Sequence, residues 1–247
     1  DRGPNQDLIA HFDPMSRVAE CCRTIRTNLF FSSPETPLRR LLVTSAGPKE
    51  GKTTSVVNIG IVMAQSGSRI LLVDTDMRRP RLHRAMGVTN ERGLTTVLLG
   101  QTSLEDAIVE SVVPNLCVLP CGPTPPNPAE ILHTKKFRDV IQGTSDRFEL
   151  VLFDSPPVVA VTDAAILSTL VDGTLLVVKA FRTTREIVVK AKQNLTSVGA
   201  RIVGCILNDV DLDNRQYGYY HYYYYKRYGA YYDDERKPSP DAPAAAE

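Results

Sequence analysis

Residues 41–54 read Leu41-Leu42-Val43-Thr44-Ser45-Ala46-Gly47-Pro48-Lys49-Glu50-Gly51-Lys52-Thr53-Thr54. An apolar run leads into a turn that contains glycine and lysine, and the next residues open a helix. The turn fits the Walker A pattern, with Ala46 in place of its first glycine. We expect Gly51 to let the backbone approach phosphate groups, which the N–H groups at the helix start would cradle. Lys52 would reach the β- and γ-phosphates of a nucleotide, and the Thr53 hydroxyl would bind Mg²⁺. The alternative, a strand-to-helix turn without a ligand, is disfavoured because both flanking elements are in place.

Short apolar runs alternate with longer helical stretches between residues 40 and 208. Continuous apolar runs of this length are typical of parallel strands buried on both faces. Their alternation with helices predicts an α/β fold with a doubly wound, mostly parallel sheet, whose ligands bind at the carboxyl ends of the strands. The predicted strands cover residues 41–44, 70–73, 116–119, 150–153, 174–178 and 202–207, and the predicted helices cover residues 53–66, 134–142, 163–169 and 184–198. One more helix, over residues 13–31, is expected to stand apart from this core.

Three aspartates follow predicted strands. Asp74 and Asp76 come after the second strand, and Asp154 ends the apolar run 150–153 in the manner of a Walker B motif. All three would lie at the same sheet edge as the phosphate loop, where Thr53 and, directly or through water, Asp74 and Asp154 would hold the metal. Any single aspartate at a strand end is more often a helix N-cap. The three together with the loop favour a catalytic site.

The net charge and the residues after the last strand indicate which class of ligand the site binds. The net charge of +1 argues against a nucleic-acid partner. The last strand leads into Asn208 without the Asn-Lys-x-Asp signature that reads guanine, so adenine and hence ATP are favoured. The predicted nucleotide contacts are Gly47, Pro48, Lys49, Glu50, Gly51, Lys52, Thr53, Thr54 and Asn208.

The tyrosines are confined to one segment. All ten lie between Tyr217 and Tyr232, beside a Pro- and Ala-rich end that is predicted to be disordered. Core packing would have spread them along the chain, so the cluster indicates a function of the tail itself; phosphorylation of these tyrosines is implied by the family resemblance given below. The alternative is an aromatic tail that binds a partner unmodified. The predicted acceptors are Tyr217, Tyr219, Tyr220, Tyr222, Tyr223, Tyr224, Tyr225, Tyr228, Tyr231 and Tyr232.

Together these motifs resemble the bacterial tyrosine kinases, or BY-kinases, that govern capsule and exopolysaccharide export. Residues 74–80 resemble the family's Walker A′ motif, residues 154–157 its Walker B motif, and the tyrosine cluster its autophosphorylation site. Glu20, Arg23 and Arg26 resemble its oligomerisation motif. Within a single helix, Glu20 and Arg23 would instead form an ordinary ion pair.

The resemblance implies an ATP- and Mg²⁺-dependent autokinase with a P-loop fold of the deviant Walker type. Its catalytic residues would be Lys52, Asp74, Asp76 and Asp154, with either Asp74 or Asp76 as the base. Residues 1–37 would form the oligomerisation helix and linker, residues 38–210 the kinase core, and residues 211–247 the flexible tail.

The resemblance also implies partners and a location. They are other copies of the chain in a ring, a transmembrane activator segment in the same or a separate chain, and a cognate tyrosine phosphatase. The chain would then be a cytoplasmic domain, as expected for part of an inner-membrane protein.

A related branch supplies the alternative function. Partition and septum-positioning ATPases share the sheet, but they carry a signature lysine five residues before the Walker lysine. Gly47 holds that position here, and Lys49 lies only three residues before Lys52. This departure favours the kinase over a non-kinase ATPase switch.

Overall fold

A computed structural model describes residues 7–33 and 35–211 of the chain. Within them, seven strands form one sheet with the order β3-β4-β2-β5-β1-β6-β7. All neighbouring strands are parallel except β3, which pairs antiparallel with β4 at one edge. The strands are β1 Arg40–Ser45, β2 Ile70–Asp74, β3 Val109–Glu110, β4 Leu116–Leu119, β5 Leu150–Asp154, β6 Gly173–Lys179 and β7 Ile202–Asn208.

Helices cover both faces of the sheet. They are α1 Ile9–Phe12, α2 Arg17–Ser32, α3 Lys52–Ala64, α4 Leu82–Met86, α5 Leu94–Leu98, α6 Leu104–Ala107, α7 Pro128–Leu132, α8 Lys135–Ser145, α9 Asp163–Ser168 and α10 Arg185–Thr196. Successive residues of a strand point to opposite faces. Accordingly, Leu41 and Val43 join a core cluster with α3 and α4, whereas Leu42 joins a second cluster with α5 and α8. The predicted doubly wound fold is confirmed.

The predicted strands all occur, each with bounds within a residue or so of the expected ones. One expectation was too general, because β7 is not buried on both faces: it is an edge strand whose residues alternate between partial burial and exposure. The sequence did not predict β3 or the short helices α1 and α4–α7. Each of these has at most five residues, too few for a hydrophobic period to be visible.

The N-terminal helices pack on the phosphate-loop helix α3. Ala19, Cys22 and Leu29 of α2 belong to the same buried cluster as the apolar side chains of α3, so α2 does not stand apart from the core. The helix also begins later than predicted. Ser16 caps it, since its hydroxyl accepts a hydrogen bond from Ala19 N at 3.2 Å.

The chain divides into two units, Asp1–Asn208 and Asp209–Glu247. All ten predicted acceptor tyrosines lie outside the described residues. In the part of the chain that the structure describes, no helix is both long and apolar enough to cross a membrane.

Candidate active site

The phosphate loop links the end of β1 to the start of α3. Gly51 caps that helix with φ +88°, a left-handed conformation that favours glycine. A Cβ at this position would lie 2.0 Å from Asn208 Nδ2. That amide donates a hydrogen bond to Glu50 O at 2.9 Å, so the end of β7 braces the loop from the side. Asn208 therefore lies at the loop, where the sequence analysis expected it.

Glu50 stabilises the loop from inside. Its side chain is buried, and Oε2 accepts a hydrogen bond from Gly47 N at 2.9 Å. The Thr183 hydroxyl, from the segment after β6, donates to Oε1. This carboxylate fixes the curvature of the loop, a role that sequence reasoning missed because its partner Thr183 lies 133 residues away.

Lys52, Thr53 and Asp154 form one hydrogen-bonded cluster at the end of β5. Lys52 Nζ lies 2.6 Å from Asp154 Oδ1, and Thr53 Oγ1 lies 2.7 Å from Asp154 Oδ2. Asp76 Oδ2 is 3.6 Å from the same ammonium group. Burial alone disfavours the charged lysine, but Asp154 and Asp76 outweigh it and raise the pKa of Lys52. The ammonium therefore stays charged where phosphates would arrive.

Asp74 lies beside this cluster and holds the start of α4. Its Oδ2 accepts hydrogen bonds from Arg81 N at 3.1 Å and Leu82 N at 2.9 Å, and its Oδ1 accepts one from Asp76 N at 3.1 Å. Asp74 thus has the capping role that is common for a lone aspartate at a strand end. Burial, followed by the neighbouring Asp154, raises its pKa to about 8.

The donor set fits a magnesium ion. Three buried carboxyl groups, those of Asp74, Asp76 and Asp154, lie around a single ammonium group, that of Lys52. Together with the Thr53 hydroxyl they offer the oxygen ligands that Mg²⁺ prefers. Among the described residues, no group of three or more His, Cys, Asp or Glu side chains is arranged to hold a metal ion by itself. Mg²⁺ usually keeps waters and substrate phosphates among its ligands.

Two arginines of the segment after β2 form internal ion pairs. Arg78 makes a bidentate pair with Asp163, both contacts being 2.9 Å, and the Asp163 side chain is fully buried. Arg81 Nη2 contacts Asp7 Oδ2 at 2.7 Å. Asp7 Oδ1 also accepts from the hydroxyl of Thr54 in α3 at 2.8 Å. The sequence carries no signal for these pairs, because their partners lie far away along the chain.

The candidate oligomerisation residues lie on α2. Arg23 Nη1 pairs with Glu20 Oε2 at 2.8 Å within the helix, as an ordinary i,i+3 contact does. Arg26 Nη1 donates to Val62 O of α3 at 3.0 Å. Both side chains of the Glu20–Arg23 pair remain about one-third exposed, at 34% and 29%.

The fold and the loop together define a class of protein. A phosphate loop after an inner strand of a mostly parallel sheet, with acidic strand ends beside it, is the arrangement of a P-loop ATPase. The family described as AAA domain matches residues 48–183. The septum site-determining protein MinD of Pyrococcus horikoshii, solved as a complex with Mg-ADP, superposes with a TM-score of 0.59 at 26% identity, over 68% of this chain and 69% of that one.

Closer relatives narrow the class. Tyrosine-protein kinase YwqD of Bacillus subtilis is 40% identical over 216 residues, which are 87% of this chain and 91% of that protein. The kinase domain of Escherichia coli tyrosine kinase ETK superposes with a TM-score of 0.80 at 35% identity, covering 82% of this chain and 80% of that one. The chain belongs to the bacterial tyrosine-protein kinases, which confirms the resemblance and the enzyme class predicted from its motifs. The complete Escherichia coli protein is much longer, and the match covers 29% of it.

Proposed function

We propose that the chain is an ATP- and Mg²⁺-dependent autokinase that phosphorylates the tyrosines between Tyr217 and Tyr232 of another copy. The observation that carries this proposal is the buried cluster of Lys52, Thr53 and Asp154 at the phosphate loop, with Asp76 beside the ammonium group. Phosphoryl transfer needs positioning and charge neutralisation more than covalent help from the protein. Lys52 and the loop amides would supply both for the β- and γ-phosphates.

Geometry supports Asp76 as the base. Both oxygens of Asp74 already accept backbone hydrogen bonds, and its side chain is fully buried. Asp76 keeps 7% of its surface exposed, and its Oδ2 makes only the longer contact to Lys52. Burial also raises the pKa of Asp76 above its usual range, which favours proton acceptance from a phenol.

The metal would be held by the Thr53 hydroxyl and the carboxylates of Asp154 and Asp74. When bound, Mg²⁺ supplies neutralising charge for the β- and γ-phosphate oxygens. The protein's own part is to fix the three ligands: Asp154 by its bonds to Lys52 and Thr53, and Asp74 by backbone amides.

Assembly into a ring would bring the tail of one copy to the active site of the next. We assign the contact to Glu20, Arg23 and Arg26 on α2, which would meet a neighbouring copy head to tail; such an interface forms a ring where its rotation closes. Their exposed ion pairs are individually weak, about 0–1 kcal/mol each. Four phosphotyrosines would add roughly −6 to −8 charges per copy, so phosphorylation would open the ring.

The same proposal assigns the context. The kinase would regulate polysaccharide synthesis and export as a cytoplasmic domain at the inner membrane. A transmembrane segment of the same or another chain would activate it, and a tyrosine phosphatase would reset it.

The decisive experiment is incubation with ATP and Mg²⁺ followed by mass spectrometry. Phosphate should appear on tyrosines of residues 217–232 in the wild-type protein and be absent from Lys52→Met. When Lys52→Met protein is mixed with wild type, its own tail should become phosphorylated, because transfer occurs between copies. A Lys52→Met protein that labels itself would contradict the site, and an unlabelled Lys52→Met tail in the mixture would contradict transfer between copies.

Light scattering tests the ring. Dephosphorylated protein should be oligomeric, whereas phosphorylated protein and Arg23→Ala/Arg26→Ala should be monomeric, the latter with reduced autophosphorylation. Equal masses for the phosphorylated and dephosphorylated proteins would exclude the switch.

The likeness to MinD supports one alternative, an ATPase switch that positions cargo. ATP hydrolysis without any phosphotyrosine would favour it over the kinase.

A further inference from the structure

A basic cavity lies next to the catalytic carboxylates. It has a volume of about 600 Å³, and its walls come from the segment after β2, the loop after β4 and the N-terminal Asp7. That volume falls within the range of small-ligand sites, roughly 300–1,000 Å³. The lining residues are Asp7, Arg79, Pro80, Arg81, His83, Arg84, Asn90 and Thr124.

The residues that line this cavity carry more positive charge than negative charge. Three arginines face one carboxylate, and Arg81 already pairs with that carboxylate on Asp7. Arg79 and Arg84 are exposed, and neither side chain forms an ion pair with a described residue. His83 Nδ1 in the same wall is buried without a hydrogen-bond partner among the described residues. The cavity therefore offers two guanidinium groups to an anion.

Backbone hydrogen bonds connect the wall of the cavity to carboxylates of the candidate active site. Arg79 N donates to Asp76 Oδ1 at 3.0 Å, and Arg81 N donates to Asp74 Oδ2 at 3.1 Å. The arginines therefore lie within a few residues of the group that would accept a phenolic proton. An acceptor segment with its tyrosine at Asp76 would place the residues next to that tyrosine over this cavity.

The chain itself carries a segment of matching charge. Tyr231 and Tyr232 are followed directly by the acids Asp233, Asp234 and Glu235, and the two basic residues Arg236 and Lys237 come only after them. An extended chain advances at most about 3.3–3.6 Å per residue, so these acids lie within about 10 Å of Tyr232 along the backbone. Arginine binds carboxylates through bidentate, charge-assisted hydrogen bonds.

We propose that this cavity is the docking site for the acidic residues 233–235 of another copy, held by Arg79 and Arg84. The inference rests on the proposed trans-autokinase function and names the feature by which that site would recognise its acceptor. Docking of these acids would bring Tyr231 and Tyr232 to the active site before the tyrosines that lie farther from the acids along the chain.

Binding can be measured without catalysis. The probe is a fluorescent peptide of residues 228–235, and the protein is the full chain with Asp233→Asn/Asp234→Asn/Glu235→Gln, so that its own tail does not compete. Fluorescence anisotropy should show binding that weakens at least about tenfold when the peptide acids become Asn, Asn and Gln, or when Arg79→Glu/Arg84→Glu is introduced. The matched control Lys192→Glu, an exposed position on α10 outside the cavity, should change it little.

A charge swap completes the test. A peptide with lysines at positions 233–235 should bind Arg79→Glu/Arg84→Glu better than it binds the parent protein. Equal affinity for the acidic and neutral peptides, the same loss in Lys192→Glu, or displacement of the peptide by Mg-ADP would overturn the proposal. Because anisotropy needs no phosphoryl transfer, absence of phosphotyrosine contradicts the proposed function, whereas absence of charge-dependent binding contradicts only the docking site.

Discussion

Replacing Lys52 by methionine should destabilise the nucleotide-free protein as well as abolish phosphotransfer. The ammonium lies 2.6 Å from Asp154 and 3.6 Å from Asp76, and the Lys52 side chain is only 10% exposed. Removing one partner of a buried ion pair costs about 3–5 kcal/mol, because the other charge stays buried and unpaired. Methionine has a similar length and no charge, so packing changes little.

Protonation sets an upper limit to this cost. An orphaned carboxylate with an ordinary pKa of about 3.9 can take up a proton for about 4 kcal/mol at pH 7 and about 1.5 kcal/mol at pH 5. The loss of stability in Lys52→Met should therefore be about 3–4 kcal/mol at pH 7 and shrink to about 1–2 kcal/mol at pH 5. The sign follows because the folded variant binds more protons than its unfolded chain, so its stability falls as the pH rises.

Urea unfolding in EDTA without nucleotide measures this loss at both pH values. The exposed Lys192→Met on α10 serves as the matched control and should lose little stability at either pH. Adding Asp154→Asn to Lys52→Met should restore much of the loss by removing the orphaned charge. A Lys52→Met protein as stable as wild type at pH 7, or a loss that does not depend on pH, would refute the electrostatic account of this cluster.

Three further perturbations test other parts of the site. Gly51→Ala should weaken ATP binding at least about tenfold in a fluorescent-nucleotide titration, because its φ is +88° and the new Cβ would meet the amide that braces the loop. Gly67→Ala is the control, because its φ of +98° gives the same backbone strain while nothing lies within 4 Å of the new Cβ. An equal loss of ATP binding in Gly67→Ala would contradict this explanation. Arg78→Ala should lower the melting temperature by leaving Asp163 buried and unpaired, and adding Asp163→Asn should restore much of it; an unchanged melting temperature would count against the pair. In magnesium-free buffer the wild type should lose stability relative to Asp74→Asn as the pH rises from 4 to 8, since burial raises the pKa of Asp74 to about 8, and parallel urea midpoints would argue against this shift.

The main sheet could be predicted because its strands are continuous apolar runs. Their short length and their alternation with longer helical stretches identify them as parallel strands buried on both faces. At the edges of the sheet, the two-residue strand β3 was not predicted, and β7 was predicted as a strand but is half exposed instead of buried on both faces. The pairing of these edge strands depends on the neighbouring strands, and no local periodicity in the sequence reveals it.

In the candidate active site, the residues that could be predicted are those whose position depends only on the direction of the strands. Parallel strands deliver their carboxyl ends to one edge, so Asp74, Asp76 and Asp154 were expected beside Lys52 before any contact was known. The contacts of Glu50 with Thr183 and of Arg81 with Asp7 span 133 and 74 residues. No spacing rule links such positions, because only the folded core decides which side chains meet.

Asp74 lies between the candidate active site and the proposed docking cavity. Its oxygens accept the backbone amides of Asp76, Arg81 and Leu82, and so they fix the whole turn that carries Arg79. One buried carboxylate thus sets the distance between the proposed base and the proposed docking arginine. Because backbone hydrogen bonds hold the turn from Asp76 to Arg81, an acceptor whose acids lie directly next to its tyrosine would match this spacing better than one with a longer spacer.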